Sequence, residues 1–338
     1  MSSTQTDRAE LFRLLGDEHR LQILALCAEE PLTVSELAEL LRDSQPQLTR
    51  KTQPLRHAGL LTSRKDGTRT YLSTTTSGND AVLAVALEEG RRLCRKDKSL
   101  ARLPRVLLDR EARSRQFFDA AMTTTTTASP FAGALAFLPM IRPLLGGRQD
   151  GLCVDVGAGD GALLPVLSPL FGRVFAVDRS PVRLAACARV VADHALGNVR
   201  LLEGDAASPA VYESVFLQGG ASVVVVARTL HHAARPAELL SACARLLKDD
   251  GLLLVVDYLP HDDEALREQG DVWMGFSPSV LARHVEDAGL VVVGSGSMPP
   301  APGHADSHLD WQWTAVTRPR LPDTLARGPR TATTTPVH

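Results

Sequence analysis

The residues best suited to chemistry stand between positions 155 and 262. Asp155-Val156-Gly157-Ala158-Gly159-Asp160-Gly161 ends a short apolar run, and its three alternating glycines let the backbone turn tightly and let a ligand approach the main chain. Asp178 closes the next apolar run, 21 residues after Gly157, where a carboxylate can accept both hydroxyls of a ribose. A third acid, Asp205, followed by Ala206, comes after the run beyond that and suits an adenine amino group. A dinucleotide loop has Gly-x-Gly-x-x-Gly, so that a helix N-terminus faces a pyrophosphate. Here the spacing is Gly-x-Gly-x-Gly with Asp155 just before it, and an acid in that place repels a diphosphate but suits a cationic ligand.

Further along, Arg228, His231 and His232 follow the fourth apolar run, and Asp257, Tyr258, His261 and Asp262 end the fifth. His231 or His261 can take a proton from a nucleophile near neutral pH, and Asp257 is the third candidate for catalysis. His231-His232 and His261-Asp262-Asp263 are adjacent residues that point in different directions, so no metal is expected. The five cysteines, at 27, 94, 153, 187 and 243, include no C-x-x-C pair, which argues against a disulfide framework and a thiolate zinc site and favours a reducing cytoplasm.

A second cluster is electrostatic. Between Arg42 and Arg69 there are seven basic residues against the two acids Asp43 and Asp66, although the whole chain has a formal net charge of -2. Gln45, Gln47, Thr49 and Arg50 at the start of a helix can reach base edges in a DNA major groove, with Lys51 beside them, while Arg56, Arg64, Lys65 and Arg69 can meet phosphates.

The elements that must position these groups are readable from periodicity. Leu11, Leu14, Leu15, Leu21, Ile23, Leu24 and Leu26 recur at helical spacing with a break at Gly16-Asp17. Thr33-x-x-Glu36 is a capping box opening a third helix over Leu37, Leu40 and Leu41. Ser44 can cap a fourth helix with Pro46 in its first turn, bent by Pro54 and closed by Gly59. LLTSRKDGTRTYL then reads as a hairpin turning on Asp66-Gly67. That order is a winged helix-turn-helix. Residues 79–121 read as a helical connector suited to dimer packing. From Leu152 the runs LCVDV, RVFAV, NVRLLE, ASVVVVA, GLLLVVD and LVVVG alternate with amphipathic stretches and end in HLDWQWTAVT, the pattern of a mostly parallel sheet covered on both faces.

With 338 residues, 44% hydrophobic and 22% charged, the chain has globular composition and room for about two domains. Its start lacks the basic and apolar runs of a signal peptide, and its longest apolar stretch, Phe131 to Ile141, spans 11 residues against the ~20 of a membrane helix, so a soluble cytoplasmic protein is expected. The expected division is a DNA-binding domain over 1–75, a helical connector, dimerisation and lid segment over 76–150, an α/β domain over 151–317 and a disordered tail over 318–338.

The first domain resembles the arsenic-repressor (ArsR/SmtB) family of dimeric bacterial regulators, through LLGDEHRLQIL at 14–24, TVSELAELL at 33–41, SQPQLTR at 44–50 and LRHAGLLTSRKDGTRTYL at 55–72. It departs from the metal-sensing members, with Thr33-Val34-Ser35 where those carry thiolates and no histidine in 79–98. The second domain resembles the class I S-adenosylmethionine-dependent methyltransferases, a Rossmann-like fold with a seven-stranded, mostly parallel sheet. The matching pieces are the acid-before-glycine loop, Thr229-Leu230-His231-His232, Arg245-Leu246-Leu247-x-x-x-Gly251 and Phe276-Ser277-Pro278. That resemblance implies that Asp155, Gly157, Gly159 and Gly161 line the methionine end of the cofactor, Asp178 holds the ribose, and Asp205 with Ala206 meets the adenine; Arg179 and Arg228 are further candidates for cofactor binding. The segments before the first strand and after the fifth, with Phe131, Phe137, Trp273 and Phe276, would select a small-molecule acceptor. Together the resemblances imply a homodimer on double-stranded operator DNA with a methyltransferase domain releasing S-adenosylhomocysteine. Two alternatives stand beside this: a domain that only senses S-adenosylmethionine or S-adenosylhomocysteine, and a biosynthetic methyltransferase that uses the winged helix only to dimerise.

Overall fold

A computed structural model describes residues 8–66, 69–75, 81–121, 145–268, 271–298 and 308–319, with backbone only at 8, 10 and 111–121. It divides into two compact units: Met1–Thr126 with His231–Ala234 and Tyr258–Phe276, and Thr127–Leu230 with Arg235–Asp257 and Ser277–His338. Phe131 and Phe137, and most of the expected tail, lie outside the described residues. Among the described residues, no helix is long and apolar enough to cross a membrane.

The first unit runs α1 (Arg8–Leu15), α2 (Glu18–Glu29), β1 (Leu32–Thr33), α3 (Val34–Leu41), α4 (Gln45–His57), β2 (Leu61–Asp66), β3 (Arg69–Thr74), α5 (Ala81–Lys96) and α6 (Ser99–Ala121). Asp17 caps α2 by accepting from the Arg20 amide at 3.1 Å. The Thr33 capping box forms in both directions, Thr33 Oγ1 accepting from the Glu36 amide at 3.2 Å and Glu36 Oε2 from the Thr33 amide at 2.8 Å. Ser44 occupies the cap position of α4 without a side-chain bond, so this cap rests on backbone and on Pro46 in the first turn. Pro54 sits inside α4 without ending it. Gly59, at φ +70°, closes α4 while the Leu60 amide reaches back to the Leu55 carbonyl at 2.9 Å, the six-to-one bond of a Schellman turn.

Leu48, Thr52 and Leu55 are the buried face of α4, at i, i+4 and i+7. They join Ile23, Leu24, Leu26, Leu37 and Leu40 in one core that also takes Leu83 of α5 and Leu103, Val106 and Leu107 of α6. The hairpin β2–β3 is widened to three strands by β1, Leu32 opposite Leu72, a short strand that no periodicity announces. The connector is helical as expected. It also carries a buried charge: Arg110 of α6 is 3% exposed and its Nη2 lies 2.8 Å from Glu36 Oε1.

The second unit holds β4 (Leu152–Val156), α7 (Leu164–Leu167), β5 (Arg173–Asp178), α8 (Pro181–Asp193), β6 (Val199–Glu203), α9 (Pro209–Phe216), β7 (Ala221–Ala227), α10 (Pro236–Leu246), most of β8 (Leu247–Tyr258), α12 (Pro278–Asp287), β9 (Val291–Met298) and β10 (Trp311–Thr317); the short α11 (Glu264–Glu268) belongs with the first unit. The seven strands lie in the order β6-β5-β4-β7-β8-β10-β9. The pairs β4/β5, β5/β6, β4/β7 and β7/β8 are parallel, and β10 returns antiparallel to β9. This is a doubly wound sheet whose order reverses at β4, and in such sheets a ligand sits beyond the carboxyl ends of the strands at the reversal. β4 is buried along its whole length, as a central parallel strand must be.

Helix α5 crosses α2 closely at Gly90, where an added Cβ would stand 2.2 Å from the Leu21 carbonyl oxygen and 2.9 Å from Ala25 Cβ. In an isolated helix Gly→Ala gains about 1 kcal/mol. Here the obstacle is backbone, so overpacking of about 1–3 kcal/mol decides the sign. Gly90→Ala is expected to lower the urea midpoint of the first unit, followed by far-ultraviolet circular dichroism, and a raised midpoint would refute the close crossing.

Candidate functional site

At the carboxyl end of β4 the chain enters the loop Gly157–Gly161, in which Gly157, Gly159 and Gly161 have φ of +75°, +59° and +85°. Gly157 admits no side chain, because a Cβ would lie 2.4 Å from Thr229 Cγ2. At Gly159 the space is open, with Arg183 Nη1 at 3.6 Å the nearest group. The amides of Gly157 and Ala158 both donate to the Val177 carbonyl, at 2.8 and 3.0 Å, which fixes the loop across the end of β5.

Asp178 ends β5 and is 7% exposed. Its Oδ2 accepts from the Gly159 amide at 2.8 Å and its Oδ1 from the Ser180 amide at 2.9 Å. Each oxygen keeps a lone pair for a further donor such as a sugar hydroxyl. Asp155 is 2% exposed, and its Oδ2 has no hydrogen-bond partner among the described residues. Burial, and then the charge of Asp178, raise its pKa from 3.8 to about 7. Two acids under a glycine loop make a site that repels a diphosphate and rewards a cation.

Beyond β6, the Gly204 amide donates to the Asp178 carbonyl at 2.9 Å and brings the next turn alongside. Asp205 closes that turn on itself, Oδ1 accepting from the Ala207 amide at 2.8 Å and from Ser208 Oγ at 2.9 Å. Its other oxygen accepts from Arg179 Nε at 2.9 Å. Burial pushes the Asp205 carboxyl up, but the Arg179 charge and the bonds from Ser208 and Ala207 outweigh it and hold the group below the ordinary range. Ala206 is buried beside it. Arg228, exposed and at φ +53°, lies 5.3 Å from the centre of the Trp311 ring. The geometry thus brings Asp155, the three glycines and Asp178 together, and pairs Arg179 with Asp205.

The three groups expected to move protons are less open. Asp257 is 0% exposed and His231 is 2% exposed. His231 packs against Tyr258, ring centres 4.8 Å apart, and its Nε2 lies 3.5 Å from Asp271 Oδ1. Half-buried His261 has its ring edge-on to Tyr258 at 5.6 Å. Sequence reasoning passed over Asp271, which stands 39 positions after His232 with no local signal to join them.

In the first unit, the outer face of α4 presents Gln45, Gln47, Thr49, Arg50 and Arg56, all exposed, and β2 presents exposed Lys65. Gln45 Nε2 donates to Ser35 Oγ at 3.1 Å and Arg56 Nη2 to Ser63 Oγ at 3.2 Å, single bonds that leave these side chains further donors. Two of the expected DNA contacts are engaged within the unit. Lys51 bonds His19 and lies 3.3 Å from Asp43 Oδ2. The Arg64 guanidinium lies 4.8 Å from the centre of the Trp273 ring and 5.8 Å from that of Tyr71, with Asp66 at 3.9 Å. Arg69 faces Asp66 across the hairpin and is partly exposed.

Comparison with known proteins agrees with both halves. Residues 15–64 match the family described as a helix-turn-helix domain, and residues 154–255 match the family described as a methyltransferase domain. The transcriptional regulator KmtR of Mycobacterium tuberculosis is 37% identical over 62 residues, 18% of this chain and 48% of that protein. The arsenical resistance operon repressor of Escherichia coli is 44% identical over 59 residues, 17% of this chain and 50% of that protein. An uncharacterised helix-turn-helix-type regulator of Methanocaldococcus jannaschii is 38% identical over 61 residues, 18% of this chain and 68% of that protein. The chain thus spans about half the length of the first two relatives. Among solved structures, a methyltransferase of Anabaena variabilis aligns at 16% identity and a TM-score of 0.49, covering 62% of this chain and 95% of that one. The chain belongs with the helix-turn-helix-type transcriptional regulators, and it carries a methyltransferase domain that follows its helix-turn-helix domain in sequence.

Proposed function

We propose that this protein binds operator DNA as a homodimer through α4 and the β2–β3 wing, binds S-adenosylmethionine at the Gly157–Gly161 loop, and methylates a small molecule. One observation carries the cofactor reading: a buried carboxylate oxygen of Asp155 that has no partner among the described residues, beside a glycine loop with space at Gly159 and a second carboxylate, Asp178. Asp155 would face the positive methionine end, Asp178 would accept the ribose hydroxyls, and the turn at Asp205 and Ala206 would border the adenine. Bound S-adenosylmethionine supplies a methyl group already activated by its sulfonium, so the protein's task is alignment and exclusion of water. Burial argues against His231 and Asp257 as groups that meet an acceptor, and His261 is the member of the trio proposed to remove a proton.

A second reading, in which the cofactor regulates DNA binding, is favoured by one contact. Within the first unit, the Met274 amide, on the stretch that follows β8 in the chain, donates to Asp66 Oδ1 of the wing at 2.9 Å. Under that reading DNA must alter cofactor affinity by the same factor as the cofactor alters DNA affinity.

The cofactor assignment is tested by calorimetric titration with S-adenosylmethionine across pH. A cation beside Asp155 favours its ionised form, so binding releases a proton where the free carboxyl is partly protonated, near its pKa of about 7. Affinity should rise several-fold between about pH 6 and about pH 7.5, and Asp155→Asn should remove that dependence. An unchanged pH profile in Asp155→Asn would refute the contact. Asp178→Ala should weaken binding by about 1.5–3 kcal/mol for each hydrogen bond lost to its charged carboxylate.

For DNA, Arg56→Ala should weaken binding to all sequences alike and lower the salt slope by about 1, whereas Arg50→Ala should cost about 1–3 kcal/mol and relax discrimination on a fragment from the protein's own promoter. Equal effects of both variants on specific and random DNA would refute the division between base and phosphate contacts.

A further inference from the structure

His231, His232 and Asp271 offer one ligand atom each, all within 4.8 Å of one another. The two histidines lie on the short 3₁₀ turn Leu230–His232, and Asp271 approaches from the loop after α11. His231 presents Nε2 and His232 presents Nδ1, and each of these atoms stands 3.5 Å from the same oxygen, Asp271 Oδ1. Neighbouring histidines diverge along an extended chain. The tight turn instead stacks them, ring centres 3.9 Å apart and tilted by 60°, so that opposite ring nitrogens converge on one carboxylate.

The spacing is that of ligands around an ion. Zinc–nitrogen and zinc–oxygen bonds of about 2.0–2.2 Å at tetrahedral angles separate ligand atoms by about 3.4 Å. Two nitrogens at 3.5 Å from one oxygen match that figure, and the three ligand atoms together span no more than 4.8 Å. The environment also suits a cation. His231 and Asp271 are 2% and 5% exposed at the side chain, while His232, at 19%, leaves one side open for entry and for a fourth, exchangeable ligand.

The backbone holds the two ligand-bearing segments together before any ion arrives. The amides of Val272 and Trp273 both donate to the His231 carbonyl, at 3.1 and 2.9 Å, and Trp273 Nε1 donates to the Ala233 carbonyl at 2.7 Å. Ligands fixed in this way lose little conformational entropy on binding.

We propose that His231, His232 and Asp271 form a binding site for one divalent first-row transition-metal ion, with zinc as the best fit to two imidazoles and a carboxylate. The ion ties the 230–232 turn to residues 271–274, the stretch that contacts the wing through Met274 and Asp66. The site is independent of the glycine loop and of the methyl-transfer reading. The cysteines do not compete for it, since Cys27, Cys94, Cys153, Cys187 and Cys243 are all buried.

The test uses the full chain, stripped with a chelator and titrated with Co²⁺, whose visible bands report few-coordinate nitrogen and oxygen ligation, and with Zn²⁺ in competition. One saturating equivalent per chain is expected, displaced by Zn²⁺. Loss of an outer partner of a ligand already costs about 10–100-fold in metal affinity, so loss of a ligand should cost at least about tenfold in His232→Ala and in the nearly isosteric Asp271→Asn. His57→Ala, on the exposed face of α4, should bind as the parent does. Should His232→Ala fail to fold by circular dichroism, Asp271→Asn decides. Absence of a saturable one-to-one titration, or affinity within about twofold of the parent in Asp271→Asn, overturns the site.

Discussion

The first unit depends on one buried guanidinium. Arg110 is taken from water at a cost of several kcal/mol, which only good partners repay. Glu36 Oε1 accepts from its Nε at 2.9 Å, and Nη2 reaches the Pro31 carbonyl at 3.3 Å. Nη1 has no hydrogen-bond partner among the described residues, and the cation lies 5.2 Å from the centre of the Tyr71 ring and 5.5 Å from that of Trp273. Four separate stretches therefore meet at one charge: the capping box of α3, the strand β3, the connector α6 and the segment around Trp273. Parting α3 from α6 would leave Glu36 or Arg110 with an uncompensated buried charge, so the helix-turn-helix is tied to its connector by an ion pair as well as by apolar burial.

The second unit rests on a different constraint, the reversal of strand order at β4. Because β5 and β7 leave on opposite sides, no crossover helix covers the end of β4, and the loop that follows lies open to a ligand. Its backbone needs left-handed conformations and its neighbours include Thr229, so glycine is required on steric grounds before any ligand is considered. The acids would then set the charge of a ligand bound there. Asp155 is held near neutral pH by the same burial that a cationic ligand would compensate.

Much of this was legible in the sequence because the signals were local. The capping box at Thr33, the fourth helix between Ser44 and Gly59, the hairpin on Asp66 and the strand runs from Leu152 each rest on neighbours within a few positions. What escaped was carried by partners far apart in sequence. Glu36 reads as a capping residue, yet its second oxygen serves Arg110, 74 positions on. Asp66 reads as a turn residue, yet it is 5% exposed and takes a hydrogen bond from Met274, 208 positions on. Charge counting treats every arginine of the wing alike, and only the tertiary fold turns Arg64 toward Trp273. Adjacent histidines look divergent until a 3₁₀ turn and a distant aspartate bring their nitrogens together.

These long-range contacts converge on residues 271–274, and that convergence limits what the wing can report. A ligand can shift a conformational equilibrium only by the difference in its affinity for the two states. The link from Met274 to Asp66 is one hydrogen bond to a carboxylate, worth about 1.5–3 kcal/mol, and the Trp273 contact with Arg64 is a cation–π pair worth about 0.5–2 kcal/mol. Breaking the hydrogen bond would shift an equilibrium of the wing by about tenfold to a hundredfold and breaking the cation–π pair by about twofold to thirtyfold, against a usual coupling of about 1–3 kcal/mol. Either contact at residues 271–274 can therefore be lost from the wing while the apolar core of the first unit, which lies mainly on α2, α3, α4 and α6, stays intact.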